Sequence, residues 1–321
     1  MASPNATFTE MVTTTLRNHA RELVDNVSKN NALLTLLKAK GKIETESGGY
    51  EIVKPLEYAE NGTYNRYSGY DVQNIQASDV LSAAKFDWMQ AAIHVSASGR
   101  ELRMNNGPEQ LIKLVKARIK NAMNTAANNL SLDLYSDGSL TNQIGGLALI
   151  VQNAGTGTVG GINSSTYPFW QNQVREIAGT NAWSKSTIKG EMNALWLKLV
   201  RGKDKPDLLV FSHDFYSAYE ESLQDNQRYM DAKMAGAGFE SLKYKTANVI
   251  FDSNTNFGTT AETGYFLNTD YLYLVQHPEA QWTQDDEKKP VNQDAVIVPM
   301  YWMGNLVCSN RSLQGKLIDA A

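Results

Sequence analysis

Two strand-like segments enclose a stretch of more than twenty residues that has no hydrophobic core of its own. The first segment, residues 50–58, alternates imperfectly and contains Pro55, which indicates an edge strand or an isolated strand. The second segment, residues 84–98, changes parity between Trp88 and Ile93, which predicts a β-bulge near Gln90. A loop of this length is unusual inside a compact domain, and we expect it to be functional or to pack on another chain.

The enclosed stretch is rich in tyrosine, asparagine, glycine and serine. Tyrosine offers a large, rigid contact area and a hydroxyl group at a low cost in conformational entropy. The composition therefore favours packing against another chain over packing within one protomer. Six residues are the predicted inter-subunit contacts: Tyr58, Glu60, Tyr64, Arg66, Tyr67 and Tyr70.

Three helices are predicted in the first half of the chain. Residues 7–27 begin with a capping box, Thr7 and Glu10, and continue with apolar residues at steps of three and four. A second, short helix over residues 32–40 ends at Gly41. The strongest pattern covers residues 107–135, and at ~1.5 Å per residue this helix would be roughly 40 Å long.

The second half of the chain mixes short strands with helices. The apolar patterns predict helices at 188–200 and 212–223, and strands at 147–151, 208–211, 249–251 and 271–275. Near the C-terminus, residues 295–302 and 306–308 predict a hairpin whose turn is Met303-Gly304-Asn305.

Composition excludes several classes of protein. The net charge of −4 argues against a chain whose main task is to grip nucleic acid without regard to sequence, because such a chain normally carries a basic excess. The single cysteine, Cys308, cannot form an internal disulfide. Neither a signal peptide nor an apolar run of 18 residues is present, so we expect a soluble protein that stays inside the cell.

Motifs that carry catalysis or bind metals are weak in this sequence. Gly155, Gly157 and Gly160 follow the spacing of a dinucleotide-binding turn, but no helix pattern follows them, so we interpret them as a loop. Residues 252–263 imitate a calcium loop with the glycine one place late. The four histidines are far apart in sequence, and Cys308 lies in an apolar strand. We therefore predict no catalytic residue, no metal and no cofactor.

A basic stripe lies on the long predicted helix. Lys113, Lys116 and Lys120 recur at steps of three and four, with Arg118 nearby. Such a stripe is usually a solvated helix face. The alternatives are contact with DNA or contact with acidic residues of a neighbouring chain.

The order of elements and several short phrases resemble the major capsid proteins of tailed bacteriophages. The resemblance covers nearly the whole chain and rests on the phrases Asn31-Ala32-Leu33-Leu34, Leu56-Glu57-Tyr58-Ala59-Glu60-Asn61-Gly62-Thr63, Tyr67-Ser68-Gly69-Tyr70, Phe86-Asp87-Trp88, Leu134-Tyr135-Ser136-Asp137-Gly138, Ile144-Gly145-Gly146-Leu147 and Thr158-Val159-Gly160-Gly161-Ile162.

The resemblance implies an α+β fold with four named regions. These are an N-terminal arm at 1–41, an E-loop region at 42–100, a P-domain at 101–140 and 280–321 that contains a long spine helix, and a mixed α/β A-domain at 141–279. The implied function is structural: pentamers and hexamers assemble into an icosahedral phage head, which encloses double-stranded DNA without sequence specificity.

The resemblance also implies partners and a location. These are further copies of the chain, a scaffolding protein and a portal, in a virion assembled in the host cytoplasm; it leaves a decoration protein open, and no membrane partner is expected. Because the hairpin begins by about residue 42, we expect a separate scaffolding protein and no built-in extension. Some family members join an E-loop lysine covalently to a neighbour's asparagine. Residues 56–79 contain no lysine, so we predict no such crosslink.

Two other classes remain open at this point. A bacterial nanocompartment shell protein shares the fold and encloses an enzyme cargo in place of a genome. More remotely, a nucleotide-cofactor-binding enzyme would use the glycine loop at residues 155–160.

Overall fold

The computed structural model describes residues 32–104, 114–177, 184–223, 242–252, 263–284 and 288–319. The helix predicted at 7–27 lies outside these residues, as does the start of the long helix. No helix among the described residues combines the length and the apolar character needed to cross a membrane.

Helices and strands are numbered in chain order. The helices are α1 (Ala32–Ala39), α2 (Gly99–Met104), α3 (Leu114–Asp133), α4 (Leu147–Ile150), α5 (Ile188–Leu199) and α6 (His213–Ser222). The strands are β1 (Ile43–Thr45), β2 (Ile52–Glu57), β3 (Leu81–Phe86), β4 (Met89–Ser98), β5 (Thr158–Val159), β6 (Ile162–Asn163), β7 (Gln173–Ile177), β8 (Leu208–Phe211), β9 (Leu242–Tyr244), β10 (Ala247–Phe251), β11 (Thr263–Leu267), β12 (Leu272–Gln284), β13 (Ala295–Cys308) and β14 (Gly315–Asp319). The α+β class is confirmed.

A four-stranded sheet in the order β1-β12-β13-β4 carries the long helix α3. Ala122 of α3 packs against Val95, Val298 and Met300, which β4 and β13 present on one face. The small alanine lets the helix approach this sheet closely. The end of α3 at Asp133 agrees with the predicted end of the long helix.

Strand β13 contradicts the predicted C-terminal hairpin. It runs without a turn from Ala295 to Cys308 and pairs with β4 and β12 along its length. Gly304 lies in the middle of the strand, where a Cβ atom would meet Val275 O at 2.2 Å and the Trp302 ring at 2.9 Å. The glycine is therefore required by the close approach of the neighbouring strand, and the prediction of a turn was wrong.

A six-stranded sheet in the order β7-β14-β11-β8-β10-β9 forms the second core. All four residues of β8 are fully buried because both faces of the sheet are covered. Leu209 and Phe211 pack with α5 and α6, whereas Leu208 and Val210 belong to the larger core shared with α1, α4 and the end of the first sheet. The predicted helices at 188–200 and 212–223 and the strand at 208–211 are confirmed.

The C-terminal segment takes part in both sheets. Residues 295–308 form β13 of the four-stranded sheet, whereas residues 315–319 form β14 between β7 and β11. The last strand thus pairs with elements from 141–279, although the resemblance groups it with the P-domain.

The extended hairpin consists of β2 and β3, paired from Ile52↔Phe86 to Glu57↔Leu81. The bulge predicted near Gln90 is wrong. The change of parity marks a break at Asp87 and Trp88, after which β4 leaves the hairpin and joins the four-stranded sheet. Strands β3 and β4 direct their apolar residues toward different cores, so the alternation of apolar and polar residues restarts between them.

The strand predicted at 147–151 is also wrong, because residues 147–150 form the single-turn helix α4. Leu147, Ile150 and Val151 are fully buried. A short apolar run that is buried on several sides does not distinguish a strand from a helix by its pattern. The hydrogen bond from Val151 N to Leu147 O closes the turn.

Candidate assembly surface

The loop between β2 and β3, residues 58–80, is called here the exposed loop. It contains no helix or strand. Tyr64, Tyr67 and Tyr70 are 81%, 63% and 104% exposed, and Val72 and Ile75 are more than nine-tenths exposed. Such a concentration of large apolar side chains in water makes the loop the candidate interaction surface of this chain.

Local hydrogen bonds hold the two legs of the exposed loop together. Gly62 N and Asn61 Oδ1 both bond to Ser78 Oγ, at 3.1 Å and 3.2 Å. Asn61 Oδ1 also accepts from Thr63 N at 3.0 Å, and Asp71 Oδ2 accepts from Ser68 N at 2.8 Å. The loop therefore has a defined path, although it has no core.

The base of the hairpin is anchored to its own chain. Tyr58 is half-buried, and its ring centroid lies 6.0 Å from that of Phe169. Partial loss of solvent and the nearby Asp79 carboxylate raise the pKa of Tyr58. Of the six predicted inter-subunit contacts, Tyr58 thus packs within its protomer, whereas Glu60, Tyr64, Arg66, Tyr67 and Tyr70 all face solvent.

Open cavities flank this anchor on both sides. One, of about 520 Å³, lies between Leu56, Tyr58 and Arg201. The other, of about 510 Å³, lies between Leu81, Lys85 and Tyr167. One face of the hairpin is anchored in the core through Ile52, Ala84 and Phe86, and its other face is mostly exposed.

The glycine-rich segment supports the hairpin, and it leads into strand β6 and does not open a helix. Gly160 and Gly161 have φ values of +60° and +76° and form the tight turn between β5 and β6. Gly160 O accepts a 3.0 Å hydrogen bond from Lys85 N, and a Cβ on Gly160 would lie 2.9 Å from the Ala84 Cβ. The prediction that the glycine-rich segment is a loop is confirmed. In the structure this loop contacts the hairpin.

The structure describes two of the three lysines of the basic stripe. Lys116 and Lys120 are exposed on α3, whereas Lys113 lies outside the described residues. Arg118 does not belong to the stripe, since its guanidinium donates to Ser96 O at 2.7 Å and pairs with Glu101 at 3.1 Å.

Glu101 joins α2 to α3, a connection that the sequence analysis missed. Ser98 and Glu101 form a capping box: Ser98 N donates to the carboxylate and Glu101 N donates to Ser98 Oγ. The Arg118 side chain, followed by the Ser98 N–H, lowers the pKa of Glu101 to about 2. The pattern S-x-x-E was the available signal; the partner Arg118, 17 residues away, was not predictable.

Two buried cations hold the interior of the chain together, and no motif revealed either. Arg311 is fully buried and donates to Ile150 O, to Ser164 Oγ and to Asn172 Oδ1. Lys316, 3% exposed, donates to Asn153 Oδ1 at 2.6 Å and lies 5.0 Å from the centroid of the Tyr265 ring. Burial lowers the pKa of Lys316 to about 8. Both tie the C-terminal segment to residues 150–172.

Cys308 and the calcium-like loop, the remaining candidates for catalysis or metal binding, lie in surroundings typical of structural residues. Cys308 is fully buried, and burial raises the pKa of its thiol to about 12. Asp252 accepts a 2.8 Å hydrogen bond from the Tyr135 hydroxyl, while residues 253–262 of the calcium-like loop lie outside the described part. Within the described ranges, no three His, Cys, Asp or Glu side chains group together as metal ligands.

Comparisons with known proteins identify the architecture. No family model matches the chain, and no curated protein matches it. Among solved structures, the capsid of cyanophage A-1(L) is 14% identical with a TM-score of 0.68, covering 94% of this chain and 96% of that one. The capsid of Myoviridae phage XM1 is 14% identical with a TM-score of 0.60, covering 94% and 96%.

An encapsulin complex is also similar. The SrpI encapsulin of Synechococcus elongatus PCC 7942 is 6% identical with a TM-score of 0.59, covering 94% of this chain and 91% of that one. At these identities the shared property is the path of the backbone over almost the entire length of both chains. This chain therefore has the fold of tailed-phage major capsid proteins.

Proposed function

We propose that the chain is the major capsid protein of a tailed bacteriophage and assembles as pentamers and hexamers into an icosahedral head around double-stranded DNA. The observation that carries the proposal is the agreement with phage capsid structures over 94% of this chain. On this proposal the protein is a structural component of the virion and has no catalytic activity.

The exposed loop gives an independent physical argument. Tyr64, Tyr67 and Tyr70, weighted by their exposures of 81%, 63% and 104%, offer roughly 500 Å² at about 200 Å² per fully exposed aromatic side chain. A stable interface needs ~800 Å² per partner, so this loop supplies most of one side. A contact between unlike surfaces of identical chains generates a ring when it is repeated with a rotation that closes, and this is the contact we propose for the loop.

The acidic balance of the chain suits a DNA container. Each basic contact with a phosphate would add a salt-dependent grip on a genome that must slide in and later leave. A net charge of −4 keeps the affinity of the chain for DNA phosphates low. A scaffolding protein, a portal and assembly in the host cytoplasm belong to the same proposal.

Assembly of the expressed chain tests this function. We expect closed icosahedral shells by electron microscopy when the chain is produced with a scaffolding protein from the same genome. A variant with Tyr64→Ser, Tyr67→Ser and Tyr70→Ser should stay folded by circular dichroism and lose shells at least ten-fold. The control Leu197→Ser removes a 65% exposed apolar residue of α5 and should assemble normally. Only soluble monomers from the parent chain, with scaffold supplied, would contradict the proposal.

The second candidate function is a nanocompartment shell, which the similarity to the SrpI encapsulin favours. The contents of purified shells separate the two functions. Shells from infected or induced cells that contain double-stranded DNA support the phage head, whereas shells that contain one enriched protein cargo and no DNA support the nanocompartment.

A further inference from the structure

We propose that the free edge of β4 pairs with the same edge of a second copy, antiparallel and centred on Ala92, so that the four-stranded sheets of two copies become one continuous sheet. The inference rests on the proposed assembly function. It adds a two-fold contact that joins copies in pairs, next to the ring-forming contact proposed for the exposed loop.

Alternate residues of β4 direct their backbone groups away from β13. Ser96 pairs with Ile297, but Ile297 exchanges its backbone hydrogen bonds with Lys288, so the Ser96 N–H and C=O face outward. The register with β13 has no shift, and the same orientation therefore holds for three further residues: Gln90, Ala92 and His94. None of the three has a backbone partner on this side within the residues that the structure describes.

One end of this edge is capped and the rest is open. Arg118 donates to Ser96 O at 2.7 Å, and Ser98 N donates to the Glu101 carboxylate at 2.9 Å. These contacts close the edge from Ser96 onward. The open part, residues 90–94, extends over about 17 Å at ~3.4 Å per residue. A row of unpaired amide and carbonyl groups is a template for a strand of another chain.

The other edges of the two large sheets are protected. Strands β1 and β9 have three residues each and carry Glu44 and Lys243, and β7 carries Arg175 and Glu176. Short strands and charged side chains are the usual protection against pairing with another chain. Residues 88–99 contain no lysine, arginine, aspartate, glutamate or proline. In the described part of these two sheets, β4 is therefore the long edge strand that a second chain can extend.

The symmetry of the open edge favours an identical strand as the partner. In an antiparallel pair centred on Ala92, this alanine faces Ala92 of the second copy, and Gln90 faces His94. Two alanines at the axis allow close approach, and amide and imidazole groups can hydrogen-bond across the pair. Because residues 88–99 carry no lysine, arginine or carboxylate, self-pairing places no like charges opposite each other. The pairing uses the free edge of both copies and stops at two.

The contact belongs to assembled shells. A single pair of strands is marginally stable in water, and an edge of about 17 Å is far smaller than a standard interface. The unassembled chain should therefore stay monomeric, and the strands should pair once other contacts hold the copies side by side.

A disulfide at the two-fold axis tests the pairing. Shells of Ala92→Cys are oxidised with copper phenanthroline, their free thiols are blocked, and the chains are separated on a non-reducing denaturing gel. In a hydrogen-bonded antiparallel pair the two Cα atoms lie about 5.5 Å apart, which a disulfide can span. We expect at least half of the chains as covalent dimers that dithiothreitol removes. Cys308 is fully buried and should give no background in the parent.

The matched control is Ser96→Cys, which is also exposed and lies on the same face of β4. In the proposed register the two copies of residue 96 lie about 27 Å apart at ~3.4 Å per residue, so this variant should stay monomeric on the gel. Equal dimer bands for the two variants would contradict the register.

Charge at the axis provides a second test. Ala92→Lys places two ammonium groups together and should lower the yield of shells at least ten-fold, while circular dichroism shows a folded chain. The neutral variant Ala92→Ser should assemble at the parental yield. Co-expression of Ala92→Lys with Ala92→Asp should restore the yield to within about three-fold of the parent, because opposite charges then meet.

The contrary outcomes separate this inference from the proposed function. If the parent forms shells and Ala92→Cys stays monomeric in them, the inference is wrong and the proposed function stands. A crosslink from Ala92→Cys to a protein of a different mass would show that the edge receives another chain, and the inference is again wrong. Absence of shells from the parent would overturn the proposed function and this inference together.

Discussion

Lys85 N donates a 3.0 Å hydrogen bond to Gly160 O, and this contact joins the hairpin of the exposed loop to the glycine turn between β5 and β6. Gly160 lies against the Ala84 Cβ and the Phe86 ring with a φ of +60°. The turn therefore positions the hairpin by close backbone contact.

Substitution of Gly160 should loosen this contact. Gly160→Ala adds a left-handed alanine, which costs about 1–2 kcal/mol, and also a clash with Ala84, so we expect a loss of about 2–4 kcal/mol in the free energy of unfolding. Gly161→Ala has a similar φ in open space and should cost only the conformational part. Urea denaturation of the unassembled chain compares them; equal losses would contradict a packing role for Gly160.

Gly304, the one glycine in the strands of the four-stranded sheet, should not tolerate a side chain. A Cβ there would lie 2.2 Å from Val275 O, so Gly304→Ala must part β12 from β13. We expect a loss of more than about 3 kcal/mol or a failure to fold. Gly190→Ala on α5 meets nothing within 4 Å and should stabilise the chain by about 0.5–1 kcal/mol. Thermal midpoints of the two variants provide the measurement, and a mild effect at Gly304 would refute the tight approach.

Because Lys316 is buried, the free energy of unfolding should increase as the solution becomes alkaline. Burial lowers its pKa in the folded chain to about 8, from 10.5. Between these values the unfolded chain binds a proton that the folded chain does not, so stability rises as the pH rises from about 8 to 10.5. Lys316→Met should stabilise the chain at pH 7 by about 1–3 kcal/mol, and the gain should shrink by pH 10. The exposed control Lys198→Met should show no such trend, and a gain at Lys316 independent of pH would contradict the assignment.

Glu101 should also make stability rise with pH, but in the acidic range. Its pKa is lowered to about 2, so its contribution is complete above 4.5 and is lost as the pH falls toward 2. We expect Glu101→Gln to cost about 1–2 kcal/mol at pH 7 and almost nothing near pH 2. Asp294→Asn, in the highly exposed pair with Arg103, should cost at most about 0.5 kcal/mol at either pH. A constant loss for Glu101→Gln at all pH values would argue against the ion pair.

Mature shells should dissolve into single chains in denaturant. The exposed loop contains no lysine, so it cannot supply the amine for a covalent bond to a neighbour's asparagine. Boiled samples on a denaturing gel should show one band at the mass of the monomer. A ladder of covalent oligomers would overturn the prediction.

Much of the candidate surface was predictable because it depends on local composition. The tyrosines of the exposed loop have no apolar periodicity that would pack them within the protomer, and the structure leaves Tyr64, Tyr67 and Tyr70 in water. The anchor at Tyr58 was not predictable, since Phe169 is more than a hundred residues away in sequence.

The sequence by itself determined the elements whose pattern is local: the end of the long helix, helices α5 and α6, strand β8, and a loop without a core. Only the tertiary structure decided that β3 and β4 belong to different sheets, that Gly304 serves a close strand contact, and that Arg118 pairs with Glu101. Periodicity reports which side of an element is buried, whereas the identity of the partner depends on chain segments that are distant in sequence.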